Sequence, residues 1–378
     1  MKTNKSLLVY YKDRLVGTLA LAKDQRIAFS YADSWLTDGF SVSPFSLPLK
    51  EGVFLPDKPY FQGLFGVFAD SLPDAWGNLL VNRLLKKHGI NPDQITPLDR
   101  LAIVGDSGMG ALTYRPSQSF SEENNSFDLD QLASECQKVL HSEYSDKLDQ
   151  LYRFGGTSGG ARPKIMTELD GKHWIIKFPA HVDGADSGQM EYDYSLCARK
   201  CGIHMTETRL FPSKICKGYF GTVRFDRQQA AHPADTRIHM LTAAAMLELD
   251  FNQPSLDYHS LMKLTNLVTN HCQEDLENLF YRMCFNVFAH NRDDHSKNFT
   301  FLYEENAQHW RLSPAYDLTY STTYYGEHTT SVDGNGQNPG KKELLSVGLQ
   351  AGLSRQFCME AIQQIQSKVS KMLQSYVL

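Results

Sequence analysis

The sequence predicts an α+β fold with an N-terminal α+β block, a small sheet-bearing lobe and a mostly helical lobe, bounded as 1–120, 121–228 and 229–378. Three observations predict it. Short apolar runs fill the first thirty residues. A glycine-rich loop after Phe154 leads into two strand candidates. From Ile238 onward apolar residues recur mainly at helical spacing.

Each element follows from local chemistry. Leu7 to Tyr11 and Leu15 to Leu21 are apolar runs parted by the turn-forming Lys12-Asp13-Arg14. Pro44, Pro48, Pro56 and Pro59 then punctuate a loop-rich stretch. Asp74 is placed to cap a helix through Leu79, Leu80, Leu84 and Leu85, and Gly89 to stop it. Pro97 starts a short helix ending near Gly105, and Ala111 to Tyr114 reads as a strand. Residues 117–126 are polar and aperiodic, so they read as a linker. One helix is expected from Leu129 to Tyr152. Strands are expected at Lys164 to Leu169 and His173 to Phe178, joined at Asp170-Gly171. A helix over Glu191 to Cys201 and strands at Thr208 to Phe211 and Tyr219 to Phe225 complete the lobe. Beyond it, Leu261 to Val268 and Leu276 to Phe288 are helical, and His290 to Leu318 is irregular. Residues 325–343 are polar and Gly-rich, and read as a mobile segment.

The chain has 378 residues, enough for two or three domains of about 150 residues each. Hydrophobic residues are 42% and charged residues 21%, which excludes wholesale disorder. A net charge of −5 excludes a strongly basic, free-standing nucleic-acid binder. No apolar run approaches the roughly 20 residues that span a bilayer, and Leu7 to Tyr11 is too short for a signal-peptide core. Seven scattered cysteines without a CxxC pair fit reduced thiols in a cytoplasm better than a disulfide framework.

Three constellations carry chemistry. The first is Gly155-Gly156-Thr157-Ser158-Gly159-Gly160-Ala161-Arg162-Pro163-Lys164, whose glycines allow backbone N–H groups to converge on a phosphate. A plain flexible turn is the competing assignment. The loop lacks the Gly-Lys-Ser/Thr of a Walker A motif. Its literal G-x-S-x-G would make Ser158 a hydrolase nucleophile, but Pro163 stands where the required helix should run. The second is Lys177, which ends the apolar run Trp174-Ile175-Ile176, where a point charge could meet nucleotide phosphates or simply face solvent at a sheet edge.

The third is His290-Asn291-Arg292-Asp293-Asp294-His295-Ser296-Lys297-Asn298. Four residues separate Asp293 from Asn298, the spacing of kinase catalytic loops. In such loops the Asp accepts or orients the attacking hydroxyl proton, and the Asn oxygen binds Mg²⁺. A strand pair, Phe299 to Tyr303 and His309 to Leu312, returns the chain to Asp317, nineteen residues after Asn298, as a second metal-binding carboxylate. A transition-metal site with His290, or a solvated polar loop, competes with this assignment. The occurrence of all these groups in kinase order favours phosphoryl transfer.

These residues resemble the HipA-like serine/threonine kinases, the toxins of bacterial toxin–antitoxin pairs. The likeness spans nearly the whole chain. It shows in Ser43-Pro44-Phe45-Ser46-Leu47-Pro48-Leu49, Phe68-Ala69-Asp70-Ser71-Leu72-Pro73-Asp74 and Gly108-Met109-Gly110. It continues in Arg224-Phe225-Asp226-Arg227, Asn291-Arg292-Asp293-Asp294-His295-Ser296-Lys297-Asn298 and Pro314-Ala315-Tyr316-Asp317. The resemblance implies a two-lobed protein-kinase-like core, with a small α/β N-lobe and a mostly helical C-lobe, behind an N-terminal α+β accessory subdomain. It implies ATP and Mg²⁺ as cofactors, with Lys177 on the phosphates, Asp293 catalytic, and Asn298 and Asp317 on the metal. Thr157, Ser158, Gly159, Gly160, Ala161, Lys164, Val223, Phe225, Asp226 and His295 would complete the nucleotide site, residues 223–225 forming the adenine hinge. Thr157 or Ser158 falls where the family autophosphorylates its loop, although serine is usual at the position of Thr157. Asp294 stands where a small residue is common, so its carboxylate would alter metal affinity or face solvent. The implied partners are a protein substrate such as an aminoacyl-tRNA synthetase and a HipB-like helix-turn-helix antitoxin, with DNA reached only through that antitoxin. No membrane partner is implied. A non-catalytic co-repressor scaffold is the alternative, and a small-molecule or lipid kinase a further one.

Overall fold

The computed structural model describes residues 3–58, 60–118, 128–157, 159–180, 183–228, 236–250, 252–323 and 325–377. The chain forms two compact units. One comprises 1–188, 210–241 and 245–248; the other comprises 189–209, 242–244 and 249–378.

The first unit opens with an antiparallel sheet of β1 (Ser6–Tyr11), β2 (Arg14–Leu21), β3 (Ile27–Tyr31) and β4 (Leu112–Arg115), in the order β3-β2-β1-β4. The first two strands follow the expected apolar runs. The third is additional to them; its alternation, with Ile27, Phe29 and Tyr31 buried, is that of a half-buried strand. The helix α1 (Ala75–Lys87) starts directly after Asp74, as expected, yet the Asp74 side chain makes no capping bond. The helix α2 (Pro97–Val104) begins in a capping box, Thr96 with Asp99, and ends at Gly105.

In place of the single helix expected over Leu129 to Tyr152 there are two, α3 (Leu129–Leu140) and α4 (Leu148–Gly155). The Asp128 carboxylate caps α3 by accepting from the Gln131 N–H at 2.8 Å. The break between the helices has a local cause. Ser142 adopts a positive φ of 63°, and the Ser145 hydroxyl donates to Glu135 Oε2 at 2.8 Å, which turns the chain back on α3. Most of the expected linker at 117–126 lies outside the described residues.

A second antiparallel sheet holds β5 (Lys164–Leu169), β6 (Lys172–Lys177), β7 (Thr208–Phe211) and β8 (Tyr219–Val223), in the order β5-β6-β8-β7. Asp170 and Gly171 both have positive φ, 54° and 70°, as a two-residue hairpin turn requires. β8 stops at Val223, short of the expected Phe225, because the chain turns there to bury Arg224 and Asp226. Trp76 and Leu80 of α1 share one core with Leu132, Leu151, Trp174 and Tyr219.

The second unit is mostly helical, as expected. It contains α5 (Ser187–Lys200), which begins in the first unit, α6 (Tyr258–Val268), α7 (Gln273–Phe288), α8 (Lys341–Gln350) and α9 (Arg355–Met372). Gly348 lets α8 approach closely: a Cβ there would sit 2.5 Å from Cys358 Sγ and 2.6 Å from the Phe280 ring. The expected hairpin forms as β9 (Thr300–Glu304) and β10 (His309–Leu312). The segment 325–343 is less detached than its polar composition suggests, because His328, Thr330 and Val332 are buried.

Candidate functional site

In the first unit the glycine loop follows α4 and is tied down at Thr157, Gly159 and Gly160. The Thr157 hydroxyl donates to the Ser107 carbonyl at 3.0 Å, and the residue is only 5% exposed. Ser158 lies outside the described residues. The Gly160 N–H donates to Asp74 Oδ2 at 2.8 Å, while the Trp76 N–H donates to the Gly160 carbonyl at 3.3 Å. Asp74 thus engages the loop with its carboxylate rather than its own helix. Lys164 is buried, and its ammonium donates to the Gly159 carbonyl at 2.5 Å, closing the loop on itself. Ala161 is exposed.

Lys177 ends β6 directly opposite Lys164 in the β5–β6 register, with its ammonium 5.6 Å from the Phe220 ring centroid. Val223 and Phe225 are half-buried. Asp226, expected at the nucleotide, has both carboxylate oxygens engaged by donors of the protein. It is fully buried and accepts from Arg224 Nε and Nη2 at 2.9 and 2.8 Å, Arg227 Nη1 at 2.7 Å and the Gly110 N–H at 2.7 Å. Burial alone would raise this carboxyl, but Arg224 and Arg227 outweigh it and hold it well below the usual range. Arg227 also donates to the carbonyls of Gly110 and Gly108, at 3.1 and 3.0 Å. The Arg224–Arg227 motif therefore grips the Gly108–Gly110 motif, from which it is 116 residues distant at Asp226 and Gly110.

In the second unit the loop after α7 presents Asp293 to solvent, with Oδ1 3.9 Å from His295 Nε2. The Asn298 amide nitrogen donates to the Asp293 carbonyl at 2.7 Å, which orients the side chain and leaves its oxygen without a hydrogen bond among the described residues. Asp317 holds a positive φ of 53°. Its neighbour Tyr316 donates from its hydroxyl to the Lys297 carbonyl at 2.6 Å and meets the Thr300 hydroxyl at 2.6 Å, fixing Asp317 to the stretch that carries Asn298. An exposed carboxylate, an amide oxygen and a second carboxylate are hard oxygen donors suited to Mg²⁺.

Asp294 neither faces solvent nor stands free to alter metal affinity, the two outcomes expected for it. It is 1% exposed and accepts from the Tyr258 hydroxyl at 3.0 Å, His328 Nδ1 at 3.0 Å and the Thr330 N–H at 3.1 Å. Asn286 Nδ2 donates to the Tyr258 hydroxyl at 2.9 Å, and Asn291 Nδ2 to Asn286 Oδ1 at 2.9 Å. This buried chain anchors the loop from beneath, because a buried carboxylate is costly unless each partner stays in place. No pattern in the chain marks His328 or Tyr258 as its partners, since 34 and 36 residues separate them from Asp294.

Residues 7–115 match the HipA N-terminal domain and residues 156–373 the HipA-like C-terminal domain, so the chain belongs to the HipA family. It is similar to two proteins of Sinorhizobium fredii. "Putative kinase Y4dM" is 23% identical over 337 residues, 84% of this chain and 78% of that protein. "Putative kinase Y4mE" is 24% identical over 352 residues, 85% of this chain and 79% of that protein. In fold it resembles a chain of the Shewanella oneidensis MR-1 toxin–antitoxin complex of HipA, HipB and operator DNA. The TM-score is 0.71 at 16% identity, covering 98% of this chain and 90% of that one. Among the described residues no helix is long and apolar enough to cross a membrane.

Proposed function

We propose that this protein is an ATP- and Mg²⁺-dependent serine/threonine protein kinase of the HipA type, organised as an accessory subdomain (1–120), an N-lobe (121–228) and a C-lobe (229–378). The observation that carries the proposal is the Asn298 oxygen, left unbonded among the described residues beside the exposed Asp293, on a loop anchored by buried Asp294. In this proposal Asp293 accepts or orients the proton of the attacking hydroxyl, and Asn298 and Asp317 hold the metal. Lys177 steadies the nucleotide phosphates, and His295, Val223 and Phe225 border the nucleotide. Bound Mg²⁺ supplies charge neutralisation on the phosphate oxygens. Asp226 is left out of the nucleotide contacts because both its oxygens are engaged.

The same proposal makes Thr157 or Ser158 an autophosphorylation site. The Thr157 hydroxyl is bonded to Ser107 here, so its modification needs the loop to leave this setting. The partners are a protein substrate such as an aminoacyl-tRNA synthetase and a HipB-like antitoxin that alone contacts DNA, in a cytoplasm where the cysteines stay reduced. The alternative is a non-catalytic, nucleotide-binding co-repressor scaffold for a DNA-binding antitoxin. Incubation with ATP and Mg²⁺, followed by intact mass and peptide mapping, separates the two. A phosphate on Thr157 or Ser158 that is absent in Asp293→Asn supports the kinase. No phosphate on the loop or on an added synthetase, with ATP still bound, supports the scaffold.

A further inference from the structure

Behind the loop that carries Asp293, the helical unit contains a cavity of about 320 Å³ that the proposed chemistry does not use. Its walls include Arg292, His290, His328, Gln337, Asn338 and Ser370. Arg292 is half-buried, yet among the described residues its guanidinium meets no carboxylate and donates no hydrogen bond. A half-buried guanidinium without a counter-charge is unusual, because desolvating it costs free energy that a partner normally offsets.

Among the described residues of the wall Arg292 carries the one formal charge, and the nearby carboxylates are engaged by other groups. His328 points Nδ1 at Asp294, whose carboxylate is shared with Tyr258 and Thr330. Glu327 accepts from Gln337 Nε2 at 2.8 Å. His290 stacks on Tyr320, with ring centroids 6.3 Å apart. Burial first, then the neighbouring Arg292 and His328, holds its imidazole below the ordinary value.

We propose that this cavity binds a phosphate-class oxyanion, with Arg292 as the main contact and His290 as a second donor. A guanidinium fork with an imidazole and amides around it offers more donors than a carboxylate can use, and suits a tetrahedral group with three free oxygens. Inorganic phosphate and a phosphoryl group on a serine or threonine side chain present the same chemistry. The site also touches the proposed catalytic loop. The Arg292 carbonyl accepts from the Thr329 N–H and hydroxyl, both at 3.0 Å, one residue before Asp293.

The test uses full-length protein with isotope-labelled histidine, titrated with inorganic phosphate and followed by the imidazole NMR signals. His290→Gln assigns the signal, and chloride at matched ionic strength is the control. The expected result is a saturable shift of the His290 signal, with half-saturation raised about tenfold or more in Arg292→Gln. Arg292→Lys, which keeps the charge and loses the fork, should bind with intermediate affinity and serves if the glutamine variant fails to fold. Phosphoserine distinguishes the sources: tighter binding than phosphate points to a protein-borne phosphoryl group, equal or weaker binding to the free ion, and either ranking supports the site. A shift that chloride reproduces, that never saturates, or that both Arg292 variants retain unchanged overturns the proposal. None of these readouts depends on kinase activity.

Discussion

Replacing Asp226 with Asn keeps the shape of the side chain and removes its charge. The carboxylate is fully buried and accepts four hydrogen bonds, three of them from guanidinium groups. Burial pushes the Arg227 guanidinium down to about 9, so it stays charged at neutral pH and needs its counter-ion. An amide supplies one acceptor where two are used. Its better orientation sets the oxygen toward Arg227 and Gly110, which leaves the NH₂ group facing the Arg224 Nε–H. Removing one partner of a buried pair costs about 3–5 kcal/mol. The assay is urea unfolding at fixed pH together with hydrogen exchange at the Gly110 amide, which donates to Asp226. Asp226→Asn should lose about 3–5 kcal/mol, and the Gly110 amide should exchange about a hundredfold faster or more. A loss below about 1 kcal/mol, the range of an exposed ion pair, with Gly110 still protected, would refute the anchor. A loss confined to nucleotide affinity would return Asp226 to the nucleotide site.

Two other perturbations follow from the same structure. Glu248 accepts the Gly66 N–H through both oxygens, at 3.0 and 3.1 Å, and burial pushes its carboxyl up to about 7. The folded state therefore keeps a proton that the unfolded chain releases near its ordinary pKa, so stability falls as pH rises from about 4.5 to 7. The loss is at most about 3 kcal/mol, and Glu248→Gln should flatten this slope in melting curves taken across that window. An unchanged slope would exclude Glu248 as its source. Asp74→Asn weakens the acceptor on the Gly160 N–H, so ATP affinity measured by calorimetry should rise severalfold if Asp74 competes with a phosphate oxygen. An affinity that falls instead would make Asp74 a support for the loop.

Much of the fold is legible in the chain because it is local. The Asp170-Gly171 turn, the Thr96–Asp99 start of α2 and the β9–β10 hairpin are all set by residues within a few positions of one another. The break between α3 and α4 escapes such reading because it depends on the Ser145 hydroxyl reaching back to Glu135, a contact that apolar spacing does not report. The order and spacing of Asp293, Asn298 and Asp317, by contrast, are visible as a pattern in the chain.

Three carboxylates mark the limit of that legibility. By position Asp74 is a helix cap, Asp226 a nucleotide contact and Asp294 a carboxylate that would alter metal affinity or face solvent. Each is bonded instead to a distant partner: Gly160, 86 residues away; Gly110, 116 residues away; and His328, 34 residues away. Near neighbours along the chain set which chemical groups exist, in what order and on which helices and turns, because those elements depend on short-range contacts. What each carboxylate does follows only from the folded chain, because a buried charge takes its role from whatever donors the packing brings against it.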